Sequence, residues 1–170
     1  MKRIIPILML LTLLAGCTSK AQRLHKKNEA AVAAKRSGDT YTFKIWPTAD
    51  ETYEVRLSGV TATSCNLGPD FTVHYFNFAK SGSLALYHGG HPMDETERPT
   101  EKFISSFGER SVQWSFFKRD AGFRATAYVT EPEQEDSPSY TWHLMVSADT
   151  EKEVHAIVDQ LATFRRVRGD

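Results

Sequence analysis

The sequence lacks several features from which a function is usually assigned. It has two cysteines, Cys17 and Cys65, and its longest apolar run, residues 4–14, is shorter than the about 20 residues of a membrane-spanning helix. Walker, Gly-x-Gly-x-x-Gly, His-Glu-x-x-His and Gly-x-Ser-x-Gly motifs are all missing. Residues 40–170 carry 13 basic against 19 acidic side chains, and a nucleic-acid partner needs a basic face. We therefore expect no nucleic-acid partner, and no common enzyme signature is present.

The amino terminus has the order of a secretory signal. Lys2 and Arg3 precede the apolar residues 4–14, and residues 14–17 read Leu-Ala-Gly-Cys. A charged start, a short apolar core and small residues at the cleavage point are typical of signal peptides. Residues 14–17 resemble the lipobox of bacterial lipoproteins, whose signal peptidase cleaves before a lipid-bearing cysteine.

This resemblance implies that residues 1–16 are a cleaved signal peptide and that Cys17 is the lipidation site. Each buried methylene contributes about 0.8 kcal/mol, so several acyl chains on one cysteine hold a protein on a membrane essentially permanently. Thr18, rather than aspartate, follows the cysteine. By the same resemblance this residue implies the outer membrane, with the protein facing the periplasm. The membrane is the first predicted partner.

Residues 17–39 are predicted to connect this anchor to the folded part. Residues 18–39 are rich in alanine and carry six Lys or Arg against two acidic residues. Two interpretations are open, a marginal helix ended by Gly38 or a solvated spacer. Residues 40–170 are predicted to form a single domain, because their number suits one hydrophobic core.

Alternation of apolar and polar residues dominates this domain and predicts strands. Phenylalanine, valine and tyrosine alternate along residues 71–78, and a glycine turn precedes residues 83–88, which is hairpin spacing. A second hairpin is predicted over residues 112–129, around a turn at 119–122. Shorter or later strands are predicted at residues 40–45, 53–58 and 139–146.

Two segments have helical spacing instead. In the middle of the chain, Thr100 can cap a short helix with an apolar side formed by Phe103, Ile104 and Phe107, ended by Gly108. At the carboxyl end, Asp149 or Thr150 can cap a long helix with arginines at its last turn. Its apolar stripe is formed by Val154, Ile157, Val158, Leu161 and Phe164.

These elements predict an α+β fold: an antiparallel sheet of six to seven strands, a short mid-chain helix and a long C-terminal helix packed on one face. The order of elements resembles the PsbP/Mog1-like fold over residues 40–167. The resemblance is carried by residues 87–92 (Tyr-His-Gly-Gly-His-Pro), by the hairpin around Trp114, and by the run from Trp142 to Phe164. It implies a non-catalytic binding or assembly module, since most proteins of this fold, envelope lipoproteins among them, have such roles.

The sharpest candidate for chemistry is the pair His88 and His91, separated by two glycines and followed by Asp94, Glu95 and Glu97. Two imidazoles and a carboxylate can hold Zn²⁺. The alternative is a turn that needs glycine, with histidines that face solvent or bond locally. The metal interpretation predicts a zinc-dependent hydrolase or metal-binding protein centred on His88 and His91.

Cys65 and an acidic stretch complete the candidates. With Cys17 carrying lipid, Cys65 has no partner for an internal disulfide. Three interpretations are open: a buried thiol, a thiol available for an intermolecular bond, or a nucleophile with His74 or His88 as its base. Residues 131–136 form an acidic loop that is solvated or faces a partner through Glu133 and Glu135. In that last case the chain would be a small inhibitor or immunity-type lipoprotein.

The sequence as a whole favours a membrane-anchored, non-enzymatic module that binds a partner protein or a small ligand in the cell envelope. No catalytic residue and no cofactor are predicted under this hypothesis. The alternative is the zinc-dependent enzyme at His88 and His91.

Overall fold

A computed structural model describes residues 20–131 and 140–168 of the chain. The predicted signal peptide, Cys17, and the acidic side chains of Glu133 and Glu135 lie outside these ranges. The described residues form an α+β structure with two antiparallel sheets, so the predicted fold class is confirmed.

Eleven strands and two α-helices are found in the described ranges. Helix α1 covers residues 20–32 and α2 is Glu151–Gln160, followed by one 3-10 turn at Leu161–Thr163. The strands are β1 (Lys35–Ser37), β2 (Thr40–Phe43), β3 (Glu51–Arg56), β4 (Val60–Leu67), β5 (Phe71–Phe78), β6 (Ser83–Gly89), β7 (Glu101–Phe107), β8 (Arg110–Arg119), β9 (Gly122–Thr130), β10 (Thr141–Ala148) and β11 (Arg165–Arg168).

The larger sheet has seven strands in the order β4-β5-β6-β10-β9-β8-β7, and every neighbouring pair is antiparallel. The predicted hairpins correspond to β5 with β6 and to β8 with β9, and the predicted last strand of the sheet is β10. Alternation places every second side chain on the inner face. Leu86, Leu144 and Trp114 on this face are fully buried.

The smaller sheet has four strands in the order β1-β2-β3-β11, and it packs against the inner face of the larger one. Tyr41 of β2 contacts Phe76 of β5 edge to face at 5.4 Å, and Tyr53 of β3 contacts Trp142 of β10 at 5.2 Å. Helix α2 covers the rest of that face with Val154, Ile157 and Val158 buried. One hydrophobic core therefore lies between the larger sheet and a layer made of the smaller sheet and α2.

The predicted mid-chain helix is wrong, because residues 101–107 form β7 at the edge of the larger sheet. Phe103 and Phe107 lie on its inner face, where Phe103 stacks on Trp114 of β8 at 6.1 Å. Ile104, which helical spacing placed beside them, is 71% exposed on the outer face. Pairing with β8 determines the conformation here and overrides the local spacing.

The predicted long C-terminal helix is also wrong at its end. Thr150 caps α2 as expected, since its hydroxyl accepts the backbone N–H of Glu153 at 3.2 Å, and Leu161 is buried. The helix ends at Gln160, however, and Arg165–Arg168 is a strand that pairs with β3. Basic residues that suit a helix C-terminus instead meet the glutamates of β3.

The four-stranded sheet as a unit was not predicted, nor were β1, β4 and β11. The marginal helix foreseen near the amino terminus is present as α1, but it ends at residue 32 and not at Gly38. Gly38 instead forms the β1–β2 turn with φ of +62°. Val32 of α1 is fully buried, so part of this basic segment packs on the core. Within the described ranges, no helix has the length and apolar character needed to cross a bilayer.

Candidate functional site

A cleft of about 360 Å³ opens where one end of the larger sheet meets the smaller sheet. Its walls come from β3, the β7–β8 turn, the end of β9, the start of β10 and the segment that leads into β11. Its volume falls at the lower end of the range of small-molecule sites. Both aromatic and charged residues line it, and the two groups have separate roles.

Four aromatic rings form the floor of the cleft. Phe107 and Phe164 stack at 4.0 Å between ring centroids, and Tyr53 stacks on Phe164 at 5.5 Å. Trp142 meets Phe164 edge to face at 5.1 Å. Because the rings pack against one another from three strands and the segment before β11, the floor presents a preformed apolar surface.

The β7–β8 turn fixes one wall of the cleft. Gly108 has φ of +58°, a conformation that side-chain-bearing residues rarely adopt, and its N–H donates to the carbonyl of Leu161 at 2.9 Å. A Cβ at this position would lie 2.4 Å from the carbonyl oxygen of Phe164. The turn is therefore held directly against the segment between α2 and β11, and it carries Glu109 and Arg110 into the cleft wall.

A carboxylate is held in place on the wall of the cleft. Oε1 of Glu131 accepts the indole N–H of Trp142 at 3.0 Å, and Oε2 lies 3.4 Å from Nε2 of His88. The His88 approach is not aligned as a hydrogen bond, and His88 Nδ1 has no hydrogen-bond partner among the described residues. His88 and Trp142 together hold the pKa of Glu131 below its usual value despite its partial burial, so this carboxylate stays charged at neutral pH.

The hydroxyl of Tyr53 lies beside this carboxylate group. Burial, with a smaller contribution from the charge of Glu131, raises the pKa of Tyr53 to about 12. Its hydroxyl donates to Oε2 of Glu51 at 3.2 Å. Tyr53 therefore stays protonated and neutral at physiological pH. It can make hydrogen bonds, but it does not act as a general acid or as a phenolate.

Three arginines line the cleft, and they differ in their partners. Arg165 donates to Glu54 at 2.6 Å and Arg166 forms an ion pair with Glu51, both across the β11–β3 pair. Among the described residues, Arg110 makes one hydrogen bond, from Nη1 to the carbonyl of Thr130 at 3.5 Å. Since a guanidinium has five N–H donors, most of those of Arg110 remain for a ligand.

The structure does not place the two predicted metal ligands in a shared site. His88 is 1% exposed and lies against Glu131 and the ring of Trp142, whose centroid is 4.6 Å away. The side chain of His91 is 88% exposed, and its Nε2 lies 3.8 Å from Asp70. No group of three or more His, Cys, Asp or Glu side chains suited to a metal ion occurs within residues 20–131 and 140–168. The zinc interpretation stays a prediction that the described contacts do not favour.

Two of the acidic residues that follow His91 form ion pairs with arginines on the larger sheet. Glu95 pairs with Arg124, and Glu97 pairs with Arg119 at 2.6 Å. The hydroxyl of Tyr128 donates to the carbonyl of Met93 at 2.6 Å. These contacts hold residues 91–100 across the outer face of the larger sheet, on the side opposite the core.

Cys65 lies on β4, directly opposite His74 of β5 in the register. Its Sγ donates to the carbonyl of Glu29 in α1 at 3.4 Å, while Nε2 of His74 lies 3.1 Å from the carbonyl of Lys44. Burial raises the pKa of the Cys65 thiol and lowers that of His74 to about 4. A nucleophile needs the opposite shift in its thiol pKa, so this pair lacks the electrostatics of an activated cysteine.

Sequence reasoning named His88 but missed the cleft beside it. Glu131 appeared only as the first residue of an acidic loop, and Arg110 and Tyr53 were not singled out. The one available signal was local: a glutamate at a strand end eleven residues before a tryptophan on the next strand. The cleft depends on β11 and the smaller sheet, which the spacing of apolar residues did not predict.

Comparisons with family models, with curated proteins and with solved structures find no match to this chain.

Proposed function

We propose that this protein is a membrane-anchored envelope lipoprotein whose domain binds a small ligand, without catalysis, in the cleft between the two sheets. The observation that supports the proposal best is the preformed cleft: an aromatic floor and, on its wall, a charged carboxylate held by Trp142. Binding sites of this kind combine mostly apolar surface with a few fixed polar groups.

The charged groups support binding more than catalysis. Glu131 has a lowered pKa and Tyr53 a raised one, so neither is near its titration point at pH 7. A general acid or base works best with a pKa close to the operating pH.

The anchor in this proposal depends on Cys17. We expect the chain produced in a bacterium to incorporate labelled palmitate, and a Cys17→Ser variant to lose the label and leave the membrane fraction. Palmitate incorporation that persists in Cys17→Ser would contradict the anchor without affecting the cleft.

Native mass spectrometry tests the binding function. The full chain, purified from membranes in mild detergent, should carry a stoichiometric small-molecule adduct. A Glu109→Trp variant places a bulky ring at the cleft wall and should lose the adduct, whereas Glu101→Trp, on an exposed position of β7, should keep it. A zinc adduct that disappears in His91→Ala would overturn the proposal in favour of the metal-binding alternative.

A further inference from the structure

Two opposite charges line the cleft, and among the described residues they do not pair. Nη1 of Arg110 lies 3.5 Å from the carbonyl of Thr130, the residue directly before Glu131. Arg110 and Glu131 both line the cleft, yet no ion pair within 4 Å joins them among those found in the described ranges. A guanidinium and a carboxylate that line the same cleft and remain unpaired can each bind one end of a dipolar ligand.

The carboxylate has capacity left for such a ligand. An ionised carboxylate offers about four acceptor positions. Trp142 takes one of them on Oε1, and His88 approaches Oε2 at 3.4 Å, which leaves both oxygens able to accept further hydrogen bonds. The Glu131 side chain is 32% exposed, so a ligand in the cleft can reach it.

The backbone of Arg110 is fixed by the turn on which it sits. Arg110 pairs with Phe107 across the β7–β8 turn, and Gly108 locks that turn against Leu161 and Phe164. The other two arginines of the cleft are already bound to Glu54 and Glu51. Arg110 is thus the cleft arginine that has no carboxylate partner among the described residues.

We infer that the cleft binds a small zwitterion, a molecule that carries an ammonium and a carboxylate as α-amino acids do. The inference rests on the proposed binding function and adds the ligand's chemistry. The ligand carboxylate lies on Arg110, its ammonium lies on Glu131, and its body lies on the floor formed by Phe107 and Phe164. An anion would meet the charge of Glu131, and a cation would meet that of Arg110, so each is bound less well.

The volume of the cleft limits the size of the ligand. At about 360 Å³ it falls near the lower limit of small-molecule sites. We expect a single amino acid or a derivative of similar size to fit this space.

Four probes that share the same 4-fluorophenyl side chain but differ in charge test which charges of the ligand are needed for binding. 4-Fluorophenylalanine is a zwitterion, its amide is a cation, its N-acetyl derivative is an anion, and the N-acetyl amide is neutral. Their ¹⁹F line broadening is measured on the full chain in phosphatidylcholine nanodiscs. We expect the zwitterion to bind at least about tenfold more tightly than each of the other three, since a charge-assisted hydrogen bond is lost in each.

Variants assign the two ends. Arg110→Gln should equalise the zwitterion and the cation, and Glu131→Gln, whose carbonyl still accepts the Trp142 N–H, should equalise the zwitterion and the anion. Arg23→Gln on α1 and Glu101→Gln on β7 remove the same charges from exposed positions and should leave the order of affinities unchanged. If Arg110→Gln does not fold, Arg110→Lys keeps the positive charge but loses the planar, bidentate guanidinium. It should weaken binding of the zwitterion more than binding of the cation.

Several outcomes would overturn the inference. Equal binding of the zwitterion and the anion would mean an anion site at Arg110, and equal binding of the zwitterion and the cation would mean a cation site at Glu131. Equal binding of all four probes, blocked by Glu109→Trp, would reject the zwitterion while leaving the proposed binding function intact. Broadening of none of the probes would also reject the zwitterion, and the native mass spectrum then decides on the cleft independently.

Discussion

Trp142 donates its indole N–H to Oε1 of Glu131 at 3.0 Å, although Trp142 belongs to the core and Glu131 lies at the cleft. The bond joins the start of β10 to the end of β9. It provides the buried indole with its acceptor and fixes the carboxylate in one orientation. Binding geometry and core packing are therefore coupled at this contact.

This coupling predicts a graded response to substitution of Glu131. Glu131→Ala leaves the buried indole N–H without an acceptor and should lower the free energy of unfolding by about 1–3 kcal/mol, whereas Glu131→Gln keeps an acceptor and should cost less. Urea unfolding of both variants measures the difference. In Trp142→Phe, which has no indole N–H, Ala and Gln at position 131 should be nearly equivalent. A gap of the same size in that background would contradict the role of the bond.

Acid destabilisation should depend on His74. Burial lowers the pKa of His74 from 6.5 to about 4, so protonation favours the unfolded chain. Its contribution to stability is complete above pH 6.5 and is lost as the pH falls from 6.5 to 4, by about 3 kcal/mol at 1.36 kcal/mol per unit. In His74→Gln, the free energy of unfolding should fall less over this interval by about that amount. Asn66→Gln, a change at an exposed residue of β4 that does not titrate, should follow the wild-type profile.

Three glycines should respond differently to alanine. Gly108→Ala combines a φ of +58° with a Cβ that would lie 2.4 Å from the carbonyl oxygen of Phe164. Gly38→Ala has φ of +62° with open space around it, and Gly90→Ala has open space without a positive φ. We expect little effect for Gly90, about 1–2 kcal/mol for Gly38, and a larger loss for Gly108. Thermal unfolding gives the order, and a Gly108→Ala as stable as Gly38→Ala would show that the turn can move away from Phe164.

The thiol of Cys65 should report on the docking of α1. Its pKa is raised by burial and its Sγ bonds to the carbonyl of Glu29, so it should react with Ellman's reagent more slowly than free cysteine. Measured with Cys17→Ser in the background, the rate should rise when the buried Val32 is replaced by aspartate. Leu24→Asp changes an exposed residue of the same helix and should leave the rate unchanged. If the reaction rate of the thiol is unchanged in Val32→Asp, α1 does not protect the sulfur.

Strand alternation predicted most of the larger sheet, because large apolar side chains recur at every second position on its inner face. Leu84 and Leu86 on β6, and Leu144 and Val146 on β10, alternate inward as the period of two requires. The error at β7 has the same physical origin. In the edge strand β7 the apolar Ile104 is exposed, so apolar and polar residues do not alternate as they do in the neighbouring strands. Phe103, Ile104 and Phe107 then have helical spacing by coincidence.

The cleft could not be predicted because it is made by long-range pairing. Arg165 reaches Glu54, and the ring of Phe164 reaches Phe107 and Tyr53. No local pattern encodes which strand a four-residue basic segment will join. The apolar stripe of the predicted helix is confirmed as far as Leu161. Phe164 has the spacing of that stripe, but it lies beyond the helix, on the floor of the cleft.

The pairing of β11 with β3 also has a consequence for when the molecule can become native. Arg165 pairs with Glu54, 111 residues earlier in the chain. The smaller sheet and the Phe164 side of the cleft therefore cannot close until residue 168 has been synthesised, and contacts this distant in sequence form slowly. A chain that has not yet paired β11 with β3 has no complete cleft.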